Sequence, residues 1–316
     1  MFGLNLFIAG IEKCGTTSLA DWFVNNGLAK YRVPGIKEPY SYAAGNVSVN
    51  HGLAPPGVLL DASVGYSFNP QAIARMPEHN TKIVLCLRNQ FERCFSAYCF
   101  YQTIARRDQS SAALLETAPV FSGLGGQEKN DSEAFFELLF HINRLHFSTK
   151  TEPALRGYFL EQADNICRQS FRERIDYEIS FFLSRRSFPF FSVLGPSSFT
   201  YPLRNLLARY QARDICLLTL DQLATEEARG KFVKDLLGPD AQSHALPPVP
   251  SLNTTQGTPL NHAKPNFHDR EWDFLRNYLR HDLTQFRSTI DSAGVSLRYV
   301  NLAMLEKYLA GPGRAD

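Results

Sequence analysis

A chain of 316 residues can form one large α/β domain or two small ones, and either can bury a sizeable core. Its 33 basic and 31 acidic side chains leave a net charge of +2, so no global field points to nucleic acid or an anionic membrane, and any anion site has to be local. No apolar run approaches the roughly eighteen residues of a membrane span.

The N-terminus lacks a basic segment and its apolar stretch runs straight into a motif, so a cleaved signal is not expected. The six cysteines (14, 86, 94, 99, 167 and 216) show no C-x-x-C pair and no zinc spacing, which predicts reduced thiols and a cytoplasmic protein.

The run Leu4 to Ala9 reads as a strand, Gly10-Ile11-Glu12-Lys13-Cys14-Gly15 as a glycine-bounded loop, and Thr16-Thr17-Ser18-Leu19 as the start of a helix that ends at Asn25-Asn26-Gly27. Such a turn collects backbone N–H groups and the positive end of a helix on one anion. Gly10 and Gly15 have the spacing of a Walker loop, but Thr16 stands where that loop has lysine and the only cation is Lys13, inside the loop. The displacement argues against a nucleoside triphosphatase. Cys14 suits a tight turn as a small filler.

Further along, Ile36-Lys37-Glu38-Pro39-Tyr40 is a charged turn, residues 41–57 are small and polar, and Val58 to Ser63 predicts a short strand ending at polar residues. A short helix follows from Gln71 to Met76. The run Lys82 to Leu87 reads as a central parallel strand that ends at Arg88 and passes into a helix carrying Ser96. A magnesium-dependent enzyme of the Walker type wants an aspartate at that strand end, whereas an arginine offers a fork to phosphate.

Residues 102–196 carry no usable motif. A helical stripe includes Phe135, Leu138 and Ile142, with His141 and His146 beside it packed or solvated. A helix is predicted from Tyr158 to Phe171, and Phe181 to Phe191 forms an aromatic and arginine-rich segment suited to a sugar or ring, or to a buried cluster. Then come a helix from Leu203 to Tyr210, a strand from Asp214 to Leu220, and a helix closing at Leu237-Gly238. A long loop through Lys264 leads to a final helix, Asp269 to Ile290, with Trp272, Leu275, Leu279, Leu283 and Phe286 on one face.

The set Gly10, Lys13, Gly15, Thr16, Thr17 and Leu19 resembles the 5′-phosphosulfate loop of sulfotransferases that use 3′-phosphoadenosine 5′-phosphosulfate. Arg88 and Ser96 match the strand-end arginine and helix serine that hold the 3′-phosphate in that family. The likeness covers about the first hundred and the last hundred and twenty residues, with its specificity in these two motifs.

It implies an α/β fold, a P-loop-like parallel sheet flanked by helices, organised as one domain over 1–316 with a mostly helical insertion at 102–196 on the acceptor side. The implied donor contacts are Lys13, Cys14, Gly15, Thr16, Thr17, Ser18, Arg88, Ser96 and Lys264. Lys37, Asp61 and Ser63 fall on the acceptor side. Lys13 and Glu38 are the catalytic pair, with His51 second to Glu38 as base, and no metal is implied.

At Ala62 the chain departs from the pattern, because the lysine of the family's acidic-Lys-Ser element is missing; a single-lysine mechanism or a replacement cation is left. The acceptor is expected to be a saccharide or other small molecule, and the nucleotide product adenosine 3′,5′-bisphosphate. A phosphotransferase or kinase on a modified loop, and a non-catalytic nucleotide-binding protein, stay open beside this reading. No sequence signal specifies an oligomeric state.

Overall fold

The computed structural model describes residues 3–43, 57–106, 152–189, 191–241, 245–251 and 262–310. His51, the stripe around 135–142, His141 and His146 lie outside the described residues. The chain divides into two compact units, one formed by Met1–Asn89, Phe199–Asn253 and His281–Lys307, the other by Gln90–Ser198, Thr254–Arg280 and Tyr308–Asp316.

Among the described residues, five parallel strands lie in the first unit: β1 (Leu4–Gly10), β2 (Lys30–Tyr31), β3 (Val58–Asp61), β4 (Thr81–Leu87) and β5 (Ile215–Thr219), in the order β2-β3-β1-β4-β5. The described helices are α1 (Thr16–Asn25), α2 (Pro70–Arg75), α3 (Gln90–Arg106), α4 (Glu152–Arg168), α5 (Phe171–Arg185), α6 (Thr200–Leu207), α7 (Glu226–Leu237), α8 (Asp273–Ala293) and α9 (Leu302–Glu306). This is the parallel α/β architecture expected from the sequence.

Leu6, Phe7, Ile8 and Ala9 of β1 have no exposed surface, as an apolar run in a sheet covered on both faces requires. The chain continues from β1 to the β2–β3 side of the sheet and later returns on the other side as β4, so β1 stands at a topological switch point. Ligand crevices in open parallel sheets form at the carboxyl ends of the strands there.

Local chemistry sets the element ends. Asn69 accepts from the backbone N–H groups of Gln71 and Ala72, each at 3.0 Å, with Pro70 in the first turn of α2. Thr225 caps α7, and Gly238 at φ 105° ends it. The expected stripe on the last helix is buried, and Ile290 extends it, although Trp272 sits in a 3-10 turn (Arg270–Trp272) before α8 begins.

In the second unit α3 is buried on nearly every side. Phe91, Phe171, Trp272 and Tyr308 gather around Phe267, ring centroids 5.1–6.2 Å away. The single helix expected from Tyr158 to Phe171 is instead broken at Gln169–Ser170. A capping box causes the break: the Ser170 hydroxyl accepts from the Glu173 N–H at 3.3 Å while the Glu173 carboxylate accepts from the Ser170 N–H at 2.7 Å. Phe171 therefore opens α5, which takes Phe181 and Phe182 into regular helix.

Among the described residues no helix is long and apolar enough to cross a membrane.

Candidate active site

Strands β3, β1 and β4 are neighbours, and their carboxyl ends carry Asp61, the loop 11–15 and Arg88 respectively. The loop leaves β1 at Gly10, whose φ is 139°; a Cβ there would stand 2.9 Å from the Val64 carbonyl oxygen and 2.8 Å from Ser67 Oγ. Gly15, at φ 85°, precedes α1, and a Cβ on it would lie 2.2 Å from Leu220 Cδ1. Gly10 demands glycine both for conformation and for close approach to backbone, and Gly15 for its positive φ.

Between them Lys13 has φ 65°, a left-handed conformation that only constraint from the surroundings maintains in a side chain of this kind. Ile11 N–H donates to the Cys86 carbonyl at 3.1 Å and Cys14 N–H to the Ile11 carbonyl at 3.1 Å, which fastens the loop to β4 and folds it on itself.

Helix α1 starts with no side-chain cap and no acidic residue in its first turn. Its end thus keeps the positive character that an anion needs. Thr16 and Ser18 are buried at this start, Thr17 is half-buried, and Cys14 is buried within the turn. Arg88 follows β4 directly, and its Nη1 lies 3.5 Å from the Lys13 carbonyl, so a guanidinium stands at the loop where a magnesium carboxylate was sought.

Beside the loop a second group of polar residues is linked by hydrogen bonds. Glu38 takes the Lys37 ammonium on Oε1 and the Tyr40 hydroxyl on Oε2, the latter at 2.9 Å. Tyr40 N–H donates to Ser63 Oγ at 3.0 Å, and Ser63 Oγ donates to Asp61 Oδ1 at 2.7 Å. Asp61 also accepts from Ser63 N–H at 3.1 Å and, on Oδ2, from the Tyr66 hydroxyl at 3.1 Å.

Asp61, Ser63 and Tyr66 have no exposed surface. Burial pushes the Asp61 carboxyl up to about 6 against the hydrogen bonds from Ser63 and Tyr66 and the charge of Arg32, which pull it down. The Tyr40 hydroxyl is raised well above its ordinary value by burial, then by Glu38 and by Glu12 of the loop. A carboxylate with one lone pair still open on each oxygen, held at a strand-end loop, can accept a proton from a hydroxyl brought beside it.

The first unit therefore brings together Lys13 to Ser18, Arg88, Lys37, Glu38, Asp61 and Ser63. Ser96, buried on α3, and Lys264 belong to the second unit. There Lys264 donates to Glu92 Oε1 at 2.8 Å and to the Tyr308 hydroxyl at 3.4 Å. Its pKa is raised: burial pulls it down, but the bond to Glu92 and the charge behind that bond outweigh the burial.

Sequence reasoning missed three partners of the residues it named. Tyr40 had a signal, its place two residues after Glu38. Arg32, which donates to Asn5 Oδ1 at 2.6 Å and lies over the Phe7 and Tyr42 rings, had none. Glu92 had none either. Among the described residues no group of three His, Cys, Asp or Glu side chains could hold a metal ion.

No family model matches the chain, and no curated protein matches it in sequence. Among solved structures, a sulfotransferase from Alicyclobacillus acidocaldarius superposes with a TM-score of 0.51 at 16% identity, over 91% of this chain and 96% of that one. The two chains share a fold. At that identity the likeness reaches the arrangement of strands and helices, and the strand-end loop is where the chemistry of this sulfotransferase-like fold has to be sought in this chain's own residues.

Proposed function

We propose that the chain is a sulfotransferase that moves the sulfuryl group of 3′-phosphoadenosine 5′-phosphosulfate to a hydroxyl of a saccharide or other small molecule. The observation that carries the reading is the loop itself: a left-handed Lys13 between two glycines at positive φ, leading into a helix whose start has no side-chain cap, with Arg88 rather than a carboxylate at the end of the adjacent strand.

That set suits an anionic donor, with Lys13 and the loop N–H groups on the phosphosulfate and Arg88 on the 3′-phosphate. The donor supplies an activated sulfur–oxygen bond. Lys13 stabilises charge that grows on the leaving oxygen, Glu38 accepts the acceptor proton, and Asp61 and Ser63, through Tyr40, fix the Glu38 carboxylate in place. Ser96 and Lys264 keep the donor-binding roles that the sequence resemblance gives them, and substituting each tests that role separately.

Calorimetric titration decides between this reading and a kinase. Adenosine 3′,5′-bisphosphate is expected to bind and to raise the melting temperature far more than AMP or ATP, with no dependence on magnesium. Tighter binding of ATP with magnesium overturns the assignment. Release of the bisphosphate from the phosphosulfate donor, measured with a panel of mono- and disaccharides and phenols, separates an enzyme from a nucleotide-binding protein.

A further inference from the structure

Lys37 is the least expected charge in the first unit. It is 3% exposed, and its ammonium is paired with Glu38, the candidate base. An ammonium taken out of water costs several kcal/mol unless strong partners surround it, so a buried lysine beside a candidate base calls for a chemical reason. The backbone supplies its position: the Ala62 N–H donates to the Lys37 carbonyl at 3.0 Å, which sets residue 37 alongside the carboxyl end of β3.

Strand β3 pairs directly with β1, Asp61 opposite Phe7, so Lys37 stands at the same sheet edge as the loop that follows β1. Electrostatics agree with this placement. Burial pushes the Cys86 thiol well above its ordinary value, and the Lys37 ammonium acts on that thiol in the opposite sense. Cys86 is the residue whose carbonyl receives the loop's Ile11 N–H. From the other direction, Glu12 of the loop acts on Tyr40, the second partner of Glu38.

We propose that Lys37 is the second catalytic cation of the transfer, donating to the non-bridging sulfuryl oxygens from a position next to the base, in place of a lysine at residue 62. The inference rests on the sulfotransferase reading. In the transfer the acceptor oxygen bonds to sulfur as the bond from sulfur to the 5′-phosphate oxygen breaks. The acceptor proton passes to Glu38, and the electron pair of the broken bond stays on the departing bisphosphate, beside Lys13. Three N–H donors let one ammonium hold a Glu38 oxygen and sulfuryl oxygens together.

The test is a double-substitution cycle on the full chain, with single-turnover consumption of 3′-phosphoadenosine 5′-phosphosulfate as readout. Lys37→Met is expected to slow turnover on the order of a hundredfold while bisphosphate affinity stays within about threefold, because the contact is made to charge that moves during transfer. Lys37→Arg should regain part of the rate. In a Glu38→Gln background, Lys37→Met should cost a comparable factor again.

If its effect vanishes in that background, Lys37 only orients the base and the inference is overturned. Near-normal turnover of Lys37→Met overturns it as well. Should Lys37→Met melt early, Lys37→Gln, which keeps a polar end, takes its place in the cycle. A wild-type chain that binds the bisphosphate yet never consumes the donor is a different result, and it removes the transferase reading itself.

Discussion

Replacing Asp61 by asparagine tests the buried network at its least exposed point. The carboxyl has no exposed surface, and burial raises its pKa from 3.8 to about 6 even though Ser63 and Tyr66 donate to it. The native state then holds a proton that the unfolded chain has already released between those two values. Stability tied to this group is therefore complete below about pH 4 and falls as pH rises through the window to about 6, by roughly 3 kcal/mol in all at 1.36 kcal/mol per pKa unit.

Asparagine keeps an acceptor for Ser63 and offers an N–H pair toward Tyr66, but it does not ionise. Urea denaturation at pH 4, 5, 6 and 7 should accordingly show Asp61→Asn gaining on wild type with increasing pH, by about 3 kcal/mol across the range. Taking the difference between the two proteins cancels the other carboxylates. A difference that does not change with pH, or one that moves toward wild type as pH rises, refutes the view that burial dominates at this carboxyl.

Lys13→Ala should lower turnover by about a hundredfold or more, the 2.7–4 kcal/mol typical of losing one donor to developing charge, with bisphosphate affinity little changed. An unaltered rate removes its role. Gly10→Ala should cost on the order of 2 kcal/mol or more of stability, because φ 139° and the Val64 carbonyl 2.9 Å from the new Cβ allow no relaxation of a side chain alone. Melting and denaturant midpoints equal to wild type would show that neither constraint matters.

The strands with long apolar runs were legible because buried parallel strands leave little latitude in composition: β1, β4 and β5 all fall where the sequence predicts them. Edge strand β2, two residues long, has no such run and gave no signal. The break at Ser170 was readable in principle, as serine followed three residues later by glutamate, but the apolar periodicity of the two helices on either side masked it.

The glycine pair, Lys13 and Arg88, which spacing and strand-end position single out in the sequence, lie together at the carboxyl ends of β1 and β4. Partners brought in through space were not singled out. Arg32 reaches Asn5 across 27 positions and Lys264 reaches Glu92 across 172, separations over which a sequence pattern says nothing about contact.

The Lys264–Glu92 pair bears directly on how the proposed donor would be held. Lys264 is about half exposed and Glu92 less so, and Tyr308 donates to the same Glu92 oxygen at 3.2 Å. Exposed ion pairs of this kind contribute about 0.2–1 kcal/mol. A phosphate carrying up to two charges can outbid that carboxylate for the ammonium. If Lys264 is a donor-binding residue, the carboxylate competes with the ligand, and Glu92→Gln should tighten bisphosphate binding by up to about fivefold, the equivalent of 1 kcal/mol. Lys264→Met should weaken it, and added salt should shrink both effects. If the pair only fastens the chain in the second unit, calorimetry will find the bisphosphate affinity of both variants equal to wild type, with a lower melting temperature for each as the sole change. That pattern would remove Lys264 from the donor site while leaving Lys13 and Arg88 untouched.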